Sequence, residues 1–132
     1  MAVFVSVDMP LLPASLIAHL VEHARITESA VTVVSVNGFA QSFPAVVDRA
    51  LLPGLRHELE AGRGGCFAGF RAAAAALRRP MNVIPVEFIV QTGQVAHPGD
   101  LPATHWFLNI NTPQDLDRAE GLAGNLYRSA IT

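Results

Sequence analysis

At 132 residues the chain has the size of one ordinary domain, and 51% hydrophobic against 15% charged residues supplies a packed core and excludes intrinsic disorder. Nine arginines against eleven acids give a net charge of −2, with no basic stretch for a nucleic-acid backbone and no apolar run near the roughly 18 to 20 residues that span a bilayer. Cys66 is the one cysteine and lysine is absent, which excludes an internal disulfide, a cysteine zinc cluster, and Schiff-base, P-loop-lysine or lysyl-nucleotide chemistry within the chain.

Val3 to Val7 is a short β-branched run ending at Asp8 and reads as a buried strand. It is too short for a signal-peptide core and has no basic flank, so a cytoplasmic protein is expected. Leu16, Ile17, Leu20, Val21 and Ala24 fall at helical spacing and predict an amphipathic helix from about Pro13 to Arg25. Val31 to Val36 reads as a second strand, and Asn37-Gly38 as a hairpin turn feeding a return strand from about Ala40 to Val47. Pro44 bends that strand or places it at an edge.

Asp48 suits the cap of a helix carrying Leu51, Leu52, Leu55 and Leu59 on one face, with Gly62 as its stop. The alanine-rich stretch Cys66 to Arg79 predicts another helix, ending in two arginines that complement its C-terminal dipole. Met81 to Gln91 reads as a strand interrupted at Pro85, and Trp106 to Ile110 as a last short strand. Thr112-Pro113-Gln114-Asp115 then combines an N-cap, a first-turn proline and a first-turn acid, opening a closing helix with Leu116, Ala119, Leu122 and Ala123 on one face. This order is α/β, with no linker long enough to divide the chain, so 1–132 is read as a single domain.

Sites in α/β proteins form outside the carboxyl ends of strands. Asp8 follows such a strand, where a carboxylate can hold Mg²⁺ together with phosphate oxygens; it is equally a polar turn residue before Pro10. Asn109 and Asn111 stand two apart, which on a strand puts both amides on one face, directly before a helix N-terminus that favours phosphate. Alternatively, Asn111 and Thr112 only cap that helix. Three further patterns read as structural. His19 to His23 fits a bare H-x-x-E-H zinc string but sits on the helix that follows the aspartate turn. Gly62 to Gly65 follows a helix rather than a strand. Arg71, Arg78 and Arg79 suit a solvated helix face as well as an anion clamp.

Val7-Asp8-Met9-Pro10-Leu11-Leu12 resembles the "C-D-x-P-[FL]-[LI]" segment of the molybdenum cofactor guanylyltransferases, with Val7 in place of the usual cysteine. Phe107-Leu108-Asn109-Ile110-Asn111-Thr112-Pro113-Gln114-Asp115-Leu116 resembles their "F-x-N-[IV]-N-T-P-[EQ]-[DE]-L" segment. Between the two, Phe43 to Arg49 and Leu51-Leu52-Pro53 are similar to the family's "P-L-x-x-[LV]-[YF]-x-R" and "L-P-x-L" stretches. The family's opening glycine-rich loop, which holds the nucleotide, has no counterpart in this sequence, which starts where the family's fourth strand or so would lie.

The resemblance implies a partial Rossmann-like nucleotidyltransferase fold, three-layered α/β/α, with a mostly parallel sheet and a hairpin, equivalent to the C-terminal part of such a domain. It implies Asp8 as a Mg²⁺ ligand, and Asn109, Asn111 and Thr112 on the side of a molybdopterin-type ligand. The family reaction transfers GMP from GTP to molybdenum-bearing molybdopterin. GTP is expected to bind only with a missing segment or partner, and the strand edge left at Val3 to Val7 implies a homo-oligomer. A non-catalytic pterin- or protein-binding module is the alternative.

Overall fold

The computed structural model describes residues 1–131, with side chains described through residue 124. Its elements in chain order are β1 (Ala2–Phe4), α1 (Ala14–Thr27), β2 (Val31–Val36), β3 (Phe39–Ala40), β4 (Ala45–Val47), a 3-10 turn (Arg49–Leu51), α2 (Leu52–Glu60), α3 (Cys66–Leu77), β5 (Met81–Pro85), α4 (Val86–Gln91), α5 (Ala103–Trp106) and α6 (Pro113–Ile131). No helix among the described residues is long and apolar enough to cross a membrane.

β2 organises the single sheet. Along one edge it pairs in parallel with β5, from Val31↔Met81 to Ser35↔Pro85. Along the other it meets β4 at Val31↔Val47 and β3 at Val36↔Phe39, both antiparallel, and β1 lies antiparallel outside β4. β1, β2 and β5 therefore run the same way, but only β2–β5 is a parallel pair. This corrects the mostly parallel sheet expected from the family resemblance. Its cause is the turn at Asn37 (φ 51°) and Gly38 (φ 82°), whose two positive φ values are those of a type I′ hairpin. That turn sends residues 39–47 back along β2 and inserts β4 between β2 and β1.

Strict alternation along β2 distributes its side chains to two cores. Val34 joins Leu16, Leu20 and Ala24 of α1 with Ile84, Val86, Ile89 and Trp106 on one face. Val31 and Val33 join Leu51, Leu55, Phe70, Ala73 and Ala74 on the other, under α2 and α3. Helices thus cover both faces of the sheet. Asp48 caps the turn before α2 as expected, its carboxylate accepting from the Ala50 N–H at 2.8 Å.

Three sequence expectations are corrected. The run read as a buried strand is a three-residue edge: β1 has a strand partner on one side only among the described residues, Val3 and Val5 are 41% and 46% exposed, and Val7 is fully exposed. The strand expected over Met81 to Gln91 stops at Pro85, which has no N–H for the ladder, and α4 follows directly, burying Val86 and Ile89 at helical spacing. The strand expected over Trp106 to Ile110 is instead the end of α5 and irregular chain, because Trp106 and Phe107 are drawn into the α1-side core rather than onto a sheet edge.

Candidate substrate and metal site

The carboxyl ends of the three co-directional strands lie at one end of the sheet, and the chain leaving β1 turns there. Within that turn the Met9 N–H donates to the Ser6 carbonyl at 3.4 Å, and the Ser6 hydroxyl donates to the Asp8 carboxylate. Asp8 is half-buried. About a hundred residues later the chain returns to the same spot, where the Ile110 N–H donates to the Asp8 carbonyl at 2.9 Å. That bond brings the Asp8 turn and the Asn109–Thr112 segment together, with the asparagine side chains exposed on either side of Ile110. The expected common face of a strand does not exist here: Asn109 and Asn111 meet the Asp8 turn through irregular backbone.

The start of α6 is a capping box. The Thr112 hydroxyl accepts from the Asp115 N–H at 3.1 Å, and the Asp115 carboxylate accepts from the N–H groups of Asn111 and Thr112 at 3.0 and 3.1 Å. These bonds, that from Asn111 first, hold the Asp115 carboxyl below the usual carboxylate range. The backbone donors of residues 111, 112 and 115 are therefore committed, and Pro113 has none. The segment presents outward its two amide side chains and the Thr112 hydroxyl, which accepts in the cap and keeps its own O–H.

Beside the turn, Pro10, Leu11, Ile110, Leu116, Ala119 and Ala123 line an apolar hollow of about 300 Å³ with Glu120 at its margin. The carboxylate of Asp8 is alone as a charged donor in its turn, and no three His, Cys, Asp or Glu side chains converge among the described residues. A single carboxylate is within what Mg²⁺ takes from a protein, since that ion completes its shell with water and phosphate oxygens. Such a site does not suit zinc, which needs three or four protein ligands.

A residue the sequence did not reveal completes the frame. His97 lies in the loop after α4 and is only 6% exposed. One ring nitrogen, Nδ1, accepts from the Gly99 N–H at 3.1 Å; the other, Nε2, lies 3.0 Å from the Leu11 carbonyl. The ring stacks on Trp106 at 6.1 Å between centroids. Nothing in the local string Ala96-His97-Pro98-Gly99 signals this role, because its partners are distant in the chain.

The other sequence candidates are accounted for elsewhere. Arg79 donates to the Glu28 carbonyl and to Asp48, tying α3 to the start of β2 and the end of β4, and Arg71 lies over the Phe67 ring at 5.0 Å. Gly62 and Gly64 take positive φ in the turn between α2 and α3. His19 and His23 are half-buried on α1, without a third ligand among the described residues. A larger cleft of about 630 Å³ opens at the opposite end of the sheet, between Arg25, Thr27, Glu28, Ser29, Asp48 and Arg79. Its polar groups bond one another: Ser29 meets Thr27 at 2.7 Å and Asn82 at 2.6 Å. Of the sequence candidates Arg79 lines it, while Asp8, Asn109, Asn111 and Thr112 do not.

The chain is similar in structure to the molybdopterin-guanine dinucleotide biosynthesis protein A of Archaeoglobus fulgidus, with a TM-score of 0.71 over 93% of this chain and 55% of that one, at 20% sequence identity. The likeness is one of fold. A comparison with protein-family models finds no match, and neither does one with curated proteins. The chain spans about half the length of the archaeal biosynthesis protein.

Proposed function

We propose that the chain works in molybdenum cofactor biosynthesis, in the cytoplasm, as the metal and pterin side of a guanylyltransferase-like site. The observation that carries this reading is the bond from the Ile110 N–H to the Asp8 carbonyl. It joins the two segments whose sequences resemble the guanylyltransferases, at the end of the sheet where α/β sites form. A likeness in fold to a molybdopterin-guanine dinucleotide biosynthesis protein supports it independently of those motifs.

In this reading Asp8 holds Mg²⁺, whose charge offsets that developing on the phosphates as GMP passes from GTP to molybdopterin with release of pyrophosphate. Asn109 and Asn111 hold and orient the molybdopterin-type ligand through amide hydrogen bonds, so that positioning supplies much of the rate. A second reading is favoured by the absence of lysine and of a strand-following glycine-rich loop in the sequence: a module that binds the pterin by association and does not turn over GTP by itself.

Calorimetric titration with a molybdopterin-type ligand and, separately, with Mg-GTP tests both. Pterin binding with no measurable Mg-GTP binding supports the partial site. Micromolar GTP binding by the chain alone contradicts it, and failure of the pterin to bind contradicts both readings.

A further inference from the structure

The loop between α4 and α5, residues 92–102, carries no regular secondary structure, yet Val95 and His97 within it are buried. It is fastened by separate side-chain bonds: the Ser15 hydroxyl of α1 donates to the Ala96 carbonyl at 3.2 Å, and the Trp106 indole N–H of α5 donates to the Leu101 carbonyl at 2.8 Å. Among the described residues, the side-chain hydrogen bond from this loop to the segment that carries Asp8 is that of His97, whose second ring nitrogen bonds within the loop. A backbone N–H can only donate, so Nδ1, which faces the Gly99 N–H, must be the bare nitrogen. The proton then sits on Nε2 and is donated to the Leu11 carbonyl. Stacking on Trp106 fixes the ring plane, so the direction of that bond is fixed as well.

We propose that His97 is a positioning residue, its Nε2–H anchoring the Leu11 carbonyl and thereby holding the Asp8–Leu12 turn where Asp8 can act on a divalent cation. The claim about the cation rests on the proposed function; the claim about the turn does not. Leu11 is three residues beyond Asp8, and the Ile110 N–H holds the turn from its other side at Asp8 itself. Without the His97 bond the turn loses one of the two hydrogen bonds that tie its backbone carbonyls to distant segments among the described residues, and the carboxylate loses a fixed direction.

Two substitutions separate the nitrogens. In His97→Gln the side-chain amide N–H reaches the position of Nε2 and keeps the donation to Leu11. In His97→Asn the amide oxygen takes the place of Nδ1, keeps the Gly99 bond and releases Leu11. With Mn²⁺ as the probe, the Gln variant retains the wild-type affinity within about twofold, and the Asn variant loses on the order of tenfold, the usual scale for residues supporting a metal ligand. Amide resonances of Met9, Leu11 and Leu12, recorded without metal, shift in the Asn variant and not in the Gln variant. In the wild type, nitrogen shifts of the imidazole report Nε2–H with a bare Nδ1.

Wild-type binding of Mn²⁺ with equal losses in the two variants, following their thermal stability, overturns the positioning role. So does the opposite tautomer, which needs no variant to fold. If the wild type does not bind Mn²⁺, the Asp8 assignment fails; the hold on the turn then stands if its resonances move only in the Asn variant and falls if they do not.

Discussion

Asp8, Asn109 and Asn111 carry the functional reading, and their surroundings make the consequences of replacing them different. Asp8→Asn keeps the size of the side chain and its acceptor toward Ser6, and leaves untouched the backbone carbonyl that Ile110 uses. It should weaken Mg²⁺ or Mn²⁺ binding while barely moving the melting temperature; an unchanged metal titration removes Asp8 as a ligand. Asn109→Ala and Asn111→Ala should each weaken a molybdopterin-type ligand with little change in stability, since both side chains are exposed and the cap of α6 uses only the backbone of Asn111. Thr112→Ala should do the reverse: about 1 kcal/mol of stability lost with the cap, read by denaturant unfolding, and ligand affinity kept. A loss of ligand affinity in Thr112→Ala without a loss of stability would instead show the hydroxyl acting on the ligand.

At the scale of elements, two helix starts make stability depend on acid in a predictable direction. The carboxyl of Asp48 is held low by the Ala50 N–H and then by Arg79, and that of Asp115 by the N–H of Asn111 and then by Thr112. A depressed carboxylate contributes stability that is present above about pH 4, the ordinary value, and is lost as pH falls through the lowered folded value. Asp115→Asn should therefore melt lower than wild type near neutrality, with the difference closing below about pH 4; a constant difference across that range would contradict the assignment.

The elements that were legible in the sequence are those specified by local chemistry. Asn37-Gly38 takes two positive φ values, Asp48 caps its turn, and Thr112 with Asp115 opens α6. What was not legible depends on neighbours far along the chain. The apolar run at Val3 is an edge because β4 lies on one side only, and Trp106 enters a core built from α1, β2 and β5. His97 gains its role from Leu11, 86 residues away. The resemblance named Asp8 and the asparagines, and the fold supplies the bond between their segments that spacing alone had described as strand geometry.

For the whole molecule, the outer edge of β1, which has no strand partner among the described residues, carries exposed Met1, Val3, Val5 and Val7 as an apolar border. An unpaired strand edge is a template for another chain, and a symmetric pairing of two copies is the economical way to cover it. We predict a homodimer or larger by light scattering, and a monomer for Val3→Lys with Val5→Lys; a monomeric wild type would contradict this. The account stands or falls, however, on the joined site. Its most direct test is calorimetric titration of a molybdopterin-type ligand in the presence of Mg²⁺ into the wild type, Asp8→Asn and Asn109→Ala proteins. The account predicts saturable binding by the wild type, weakened in both variants while their melting temperatures hold. Equal affinity in all three would show that the Asp8 turn and the asparagine segment are brought together for folding alone.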